Sequence, residues 1–235
     1  GVDKVKLLEE KYPLEQVEAL GHKVWPLIRF SVIVNYTIGK VPLSRPSIGF
    51  RQVKLFFYGF FNLFRRYHFL AFSDSSERKV IEGRYFDKSI DPLILLYPKT
   101  LLFELPLPNH FSRARTTTRF IASKYPLYVL ALLYERFILR KIELTNEEFI
   151  TGFNAELGVI YDYKAQIRKA LSHYYLGLFL FRIYKPKAIF IQSAYTNTGL
   201  VKAFRERGAM VIEVQHGMIT STHEAYNVFR DCGRE

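Results

Sequence analysis

One cysteine, Cys232, stands among 235 residues, so no intramolecular disulfide framework can form. A reducing compartment, or indifference to redox state, is what that predicts. Long apolar runs are also missing. A helix that crosses a bilayer needs about 20 apolar residues. Here each candidate is cut short: Leu55 to Phe64 by Arg65 and Arg66, Tyr125 to Tyr134 by Glu135 and Arg136, Leu176 to Phe181 by Arg182. Gly1 to Glu10 is charged and polar, which excludes a secretory signal at that position. The expectation is a cytoplasmic protein, at most peripheral at the inner face of the cell membrane. Glycine motifs for nucleotides are absent: there is no G-x-x-x-x-G-K-[ST], no G-x-G-x-x-G and no G-x-S-x-G. His216 and His223, with Glu213 or Glu224, match no common zinc spacing and have no cysteine pair beside them, so no metal site is expected. Acidic residues are in deficit, 22 against 34 Lys and Arg, which gives a net charge of +12 and points to an anionic partner. The basic residues are scattered and no nucleic-acid motif is legible, so acidic lipid or a phosphorylated sugar is favoured over nucleic acid.

What is present begins with a strand–helix–strand pattern near the end. Ala188 to Ile191 and Met210 to Val214 are short apolar runs of the kind that buried parallel strands show. Between them Leu200, Val201 and Phe204 recur at helical spacing, with Lys202, Arg205, Glu206 and Arg207 opposite and Gly208 as a stop. In open parallel α/β sheets, ligands sit beyond the carboxyl ends of the strands. Two polar clusters fall in that position: Gln192 to Asn197, and Gln215-His216-Gly217.

Upstream, Asp3 to Leu20 reads as two helical pieces split by Pro13. Phe30 to Ile38 fits helix or strand equally, and Gly39 to Gly49 is a loop. Lys54 to Tyr67, rich in aromatics and flanked by arginines, reads as a membrane-interfacial helix or as a helix buried on the sheet; aromatics around most of the circumference favour burial. Tyr67 to Phe72 is a strand, and Ser73, Asp74, Ser76 and Glu77 suit the cap of a following helix. Asp91 to Leu102 predicts a strand pair. Ser112 to Arg119 interleaves arginine with hydroxyls, either a phosphate cradle or a solvated loop. Tyr125 to Ile138 has helical spacing, Thr145-Asn-Glu-Glu148 predicts a capping box, and Glu156 to Tyr184 predicts a long helical tract broken near Gly177. Strands that alternate with helices predict an α/β fold: a Rossmann-like parallel sheet flanked by helices. Residues 1–66 would be a helical, aromatic extension packed on a core domain of 67–235.

His216 is the residue with the clearest chemistry. An imidazole after a buried strand, beside a glycine, titrates near neutrality and can take a proton from a hydroxyl. Placement alone does not separate that role from a histidine bonded to a backbone carbonyl.

Val211 to Asn227 resembles the Gln-His-Gly segment of bacterial surface-polysaccharide glycosyltransferases of the capsule and O-antigen type, which have the two-domain GT-B fold. Phe72 to Arg78 with Gly83 to Lys88 resembles an upstream block of the same group, and Trp25 to Arg29 a third. A more distant likeness is to glycerophosphate transferases of teichoic-acid synthesis, although Gln215 stands where those usually have tryptophan. The resemblance implies that this chain is one half of a GT-B fold, the N-terminal acceptor domain, and that a nucleotide-sugar donor binds a second domain outside it. No cofactor is then expected in this half, and the fragment would be inactive alone. The first and last residues read as an abrupt start and stop, so a longer working protein is expected. By the same resemblance His216 would be the general base, with Asp74 as the alternative from the first strand, and Glu77 would orient the acceptor. Ser73, Gln215, Ser193, Tyr195, His223 and Tyr226 would contact a glycan or lipid-linked acceptor. The implied activity is sugar transfer to a growing surface polysaccharide, with an anionic membrane nearby. Glycerophosphate transfer and a non-catalytic basic binding module are the alternatives.

Overall fold

The computed structural model describes residues 2–39, 53–73, 78–81, 83–106, 118–159 and 161–214. The chain opens with α1 (Val2–Lys11), a short hairpin of β1 (Glu18–Ala19) and β2 (His22–Lys23), α2 (Trp25–Ile38) and one turn of helix, α3 (Val53–Phe56). Strand β3 (Phe69–Ser73) follows, then a second hairpin, β4 (Arg78–Ile81) with β5 (Arg84–Asp87). Next come α4 (Asp91–Leu96), β6 (Thr100–Glu104), β7 (Ile121–Ser123) and α5 (Tyr125–Leu133), which runs on into a π-helical turn, Tyr134–Ile138. The remainder is α6 (Glu147–Leu157), α7 (Tyr163–Tyr184), β8 (Ala188–Ile191), α8 (Thr198–Glu206) and β9 (Met210–Glu213).

Five of these strands form one parallel sheet in the order β7-β6-β3-β8-β9. By position along the chain that is third, second, first, fourth, fifth: the doubly wound, Rossmann-like order, whose direction reverses between β3 and β8. Strands in such a sheet are covered on both faces and need no polar alternation. β6 and β8 are buried throughout, and β3 except at Phe69. One face packs Leu70, Phe72, Phe103 and Ile189 against α5, α7 and α8, through Ala131, Leu176, Leu180 and Phe204. The other packs Ala71, Leu102 and Phe190 against Ile90, Ile94 and Tyr58. A separate apolar cluster joins α1 and α2 to α6 and the first half of α7, through Val5, Trp25, Ile28, Phe153 and Ile167.

The strand–helix–strand pattern at 188–213 forms as the spacing predicts, but β9 is the edge of the sheet, and Met210 is 64% exposed rather than buried. Phe30 to Ile38 is helical, the continuation of a helix begun at Trp25. Five expectations are corrected. The segment 54–67 is not one helix but α3 followed by a 3-10 turn, Phe60–Phe64, with Gly59 in the left-handed region between them. Arg78 to Ile81 is a strand rather than part of a helix capped from Ser73, and the helix before β6 is α4, where a strand pair was expected. Asp91 and Pro92 open that helix, proline being tolerated in a first turn because its missing N–H has no partner there. Asn146, at φ 57° and without a side-chain cap, precedes α6, so Thr145-Asn-Glu-Glu148 is not a capping box; Thr145 instead bridges Glu18. The break in the long helical tract falls between α6 and α7, not at Gly177, and α7 runs unbroken through Gly177. A Cβ there would stand 2.6 Å from that of Ala203, so the glycine serves the close approach of α8.

Candidate functional site

Each of the five parallel strands ends in, or is followed at once by, a polar residue: Ser73, Glu104, Ser123, Gln192 and Glu213. The first four are buried, which for polar groups requires hydrogen-bond partners. Ser73, Glu104 and Gln192 find them in the β4–β5 hairpin, which lies against this carboxyl edge, and the Ser123 hydroxyl accepts the Tyr125 N–H at 3.1 Å.

Asp87, the last residue of β5, is fully buried at the point where strand order reverses. The Ser73 hydroxyl, from β3, donates to its Oδ2 at 2.8 Å, and the Gln192 amide, after β8, donates to the same oxygen at 3.1 Å. Its other oxygen accepts the backbone N–H groups of Ser89 and Ile90, at 2.9 and 3.2 Å. One carboxylate therefore ties β3 to β8 across the crevice and also turns the chain into α4.

Arg78, opposite Asp87 in the hairpin register, points into the same region. Its guanidinium meets Glu104 through Nε and Nη2 at 2.7 and 2.8 Å, and Asp91 through Nη1 and Nη2 at 2.9 and 3.3 Å. This is the paired fork geometry that suits arginine and that lysine cannot reproduce. Burial works against the charge, but the hydrogen bonds and charges of Glu104 and Asp91 outweigh it and hold the guanidinium above its ordinary pKa. Asp91 also accepts the Asp87 N–H at 2.9 Å, which links the two carboxylate centres. The crevice floor is thus fixed by a buried ionic lattice with few degrees of freedom.

Gln192 is followed by Ser193, half-buried, whose carbonyl accepts from Thr196 and Asn197 in a 3-10 turn that leads into α8. Tyr195 lies in the same turn. Its ring packs on Phe30 of α2, centroids 4.5 Å apart, and borders a cavity of about 40 Å³ between α2, α7 and the β8–α8 loop. Lys169 and His173 of α7 line the same cavity. Burial, then the positive charges of Lys169 and Lys124, pushes the His173 pKa down to about 4, so this imidazole is neutral near pH 7.

Of the candidates named from the sequence, Ser73 and Ser193 stand at the switch point and Tyr195 turns to a neighbouring cavity. Asp74, Glu77, Gln215, His216, His223 and Tyr226 lie outside the described residues, as does the hydroxyl-rich stretch from Ser112 through Thr117. The ladder of β9 extends to Val214, whose N–H donates to the Ile191 carbonyl at 2.7 Å, so the described chain ends beside Gln192 at this edge. Sequence reasoning placed Gln192 in a polar cluster beyond β8 but gave no role to Arg78, Asp87, Asp91 or Glu104. Opposite charges on the first and last residues of the hairpin segment, Arg78 and Asp87, were the available signal. No group of His, Cys, Asp and Glu suited to a metal ion occurs among the described residues.

Neither protein-family models nor curated proteins nor solved structures yield a match to this chain. The class of the molecule is defined by its fold, a Rossmann-like α/β domain with buried polar residues at the switch point.

Proposed function

We propose that this chain is the acceptor domain of a glycosyltransferase that transfers a sugar from a nucleotide-sugar donor to a surface polysaccharide or lipid-linked glycan. It would be one half of a GT-B fold, with the donor bound by a second domain. The observation that carries the reading is a convergence. The two upstream blocks that resemble such enzymes, 72–78 and 83–88, meet at the switch point through Ser73, Arg78 and Asp87, and the Gln-His-Gly block begins at β9 beside them. Separated sequence blocks that fold onto one ligand-binding edge support a common role in a site.

In this reading His216 takes the proton of the acceptor hydroxyl as that oxygen attacks the anomeric carbon, and Asp74 is the alternative base. Ser193 and Gln215 contact the acceptor. The ionic lattice of Arg78, Asp91 and Glu104 positions the crevice without touching the reacting atoms. Transfer to an acceptor glycan, measured with the full-length enzyme and labelled nucleotide-sugar, tests the assignment. His216→Ala is expected to lower kcat by about 10²- to 10⁴-fold, the range of general base catalysis. Turnover near that of the wild type would remove His216 from the role.

A further inference from the structure

The cavity of about 40 Å³ between α2, α7 and the β8–α8 loop is small but polar. Ser31 of α2, Gln166, Lys169 and His173 of α7, and Thr196 and Thr198 beyond β8 all line it, so three separate parts of the chain bring polar side chains to one space. By volume it has room for about three water molecules, or for one small oxyanion in their place. Thr196 is exposed and marks its solvent side.

Several of these groups have unmet hydrogen-bonding capacity. The side chains of Gln166 and His173 bond to no described residue. Beside Ser31 is the Tyr161 hydroxyl, buried and without a partner among the described residues. Buried polar groups normally find partners, and where protein supplies none a water or a ligand does. The start of α8 adds backbone donors, since the first N–H groups of a helix have no acceptor within it. Asn197, ahead of α8, does not cap them; its side-chain amide donates to the Ser193 carbonyl at 2.8 Å. The Thr198 hydroxyl is also turned elsewhere, to the Leu27 carbonyl at 2.8 Å.

Charge sets the class of ligand. No carboxylate lines the cavity, whereas Lys169 does. Lys169 and Lys124 both act on His173, and no acid is among the charges that do. The amino end of the α8 dipole adds to this positive potential. A cation would meet like charge here, and an anion is drawn in. Donors that reach the space from three directions suit a tetrahedral group better than a planar carboxylate, and an uncapped helix start suits its oxygens.

We propose that this cavity binds a phosphate-type oxyanion, with Lys169 and the first N–H groups of α8 holding its charge and Ser31, Gln166 and His173 donating to its oxygens. The ligand is free phosphate or the phosphate end of a larger molecule that leaves past Thr196. The proposal stands on the cavity and does not rest on sugar transfer.

Isothermal titration calorimetry of the whole chain with inorganic phosphate, sulfate and acetate tests it, and involves no transfer assay. Phosphate and sulfate are expected to bind, and acetate more weakly. Lys169→Met should weaken phosphate binding about tenfold to a hundredfold, the worth of one charged hydrogen bond. Phenyl phosphate separates the two sources: tighter binding than inorganic phosphate assigns the cavity to the end group of a larger ligand, and weaker binding assigns it to the free ion. Should the variant unfold, the unaltered protein supplies a second measurement. The imidazole resonance of His173, identified by its loss in His173→Gln, should titrate at higher pH with saturating sulfate than without. Lys169 and Tyr195 share the cavity with that ring and Lys124 acts on it from before α5, so a bound anion supplies the negative charge that favours the imidazolium. The proposal is overturned if neither phosphate nor sulfate binds at millimolar concentration, if acetate binds as well as they do, if Lys169→Met binds phosphate as the wild type does, or if sulfate leaves the His173 titration unmoved.

Discussion

Replacing Arg78 by Met would leave Asp91 and Glu104 buried with no guanidinium between them. Breaking a buried pair by removing one partner typically costs about 3–5 kcal/mol, more than the pair itself contributes over an apolar substitute. Urea unfolding of Arg78→Met is expected to show a loss of that size at neutral pH, and an unchanged midpoint would mean that the lattice is not as dry as described. His173 makes a second prediction at this scale. Its pKa is about 4 folded against an ordinary 6.5, so between those values the unfolded chain holds the extra proton. Stability from this group is complete above about pH 6.5 and falls as pH drops toward 4, by at most about 3 kcal/mol. Thermal melts of His173→Gln should show a shallower decline than the wild type across that window. A parallel decline would place the proton elsewhere.

Among the elements, the packing of α8 on α7 sets where the β8–α8 loop can stand. A Cβ on Gly199 would lie 1.9 Å from the Ala170 carbonyl oxygen, a backbone atom that cannot swing aside. Gly199→Ala should therefore destabilise the chain by about 1–3 kcal/mol through forced separation of the two helices. Chemical denaturation measures the loss, and perturbed amide shifts in 193–199 would locate it beside Tyr195. The β4–β5 hairpin has the same standing at the other side of the crevice. It is short and two-stranded, and such a ribbon is marginal alone in water. What fixes it is Arg78 and Asp87 at one end, both buried on the sheet edge.

At the scale of the whole molecule, polar chemistry gathers at one edge of the sheet. The carboxyl edge is polar, buried and tied by carboxylates. No described helix is long and apolar enough to cross a membrane. Much of this plan is legible in the chain. The apolar runs of β3, β6 and β8, the helical spacing of α8, and Lys185-Pro186 as the stop of α7 follow from residue type and period, because a strand covered on both faces must be apolar throughout. The sequence by itself also determined that polar residues follow β8 and β9, which the switch-point rule turns into a candidate site. Tertiary structure alone decided the rest. Arg78 and Asp87 look like solvated charges until the hairpin brings them onto Glu104, Asp91, Ser73 and Gln192, partners 13 to 105 residues away. Gly177 reads as a helix breaker until α8 is seen to need the space. Local pattern fixes which residues prefer helix, strand or burial, whereas the pairing of buried charges and the contact of helix surfaces are satisfied only between segments distant in sequence.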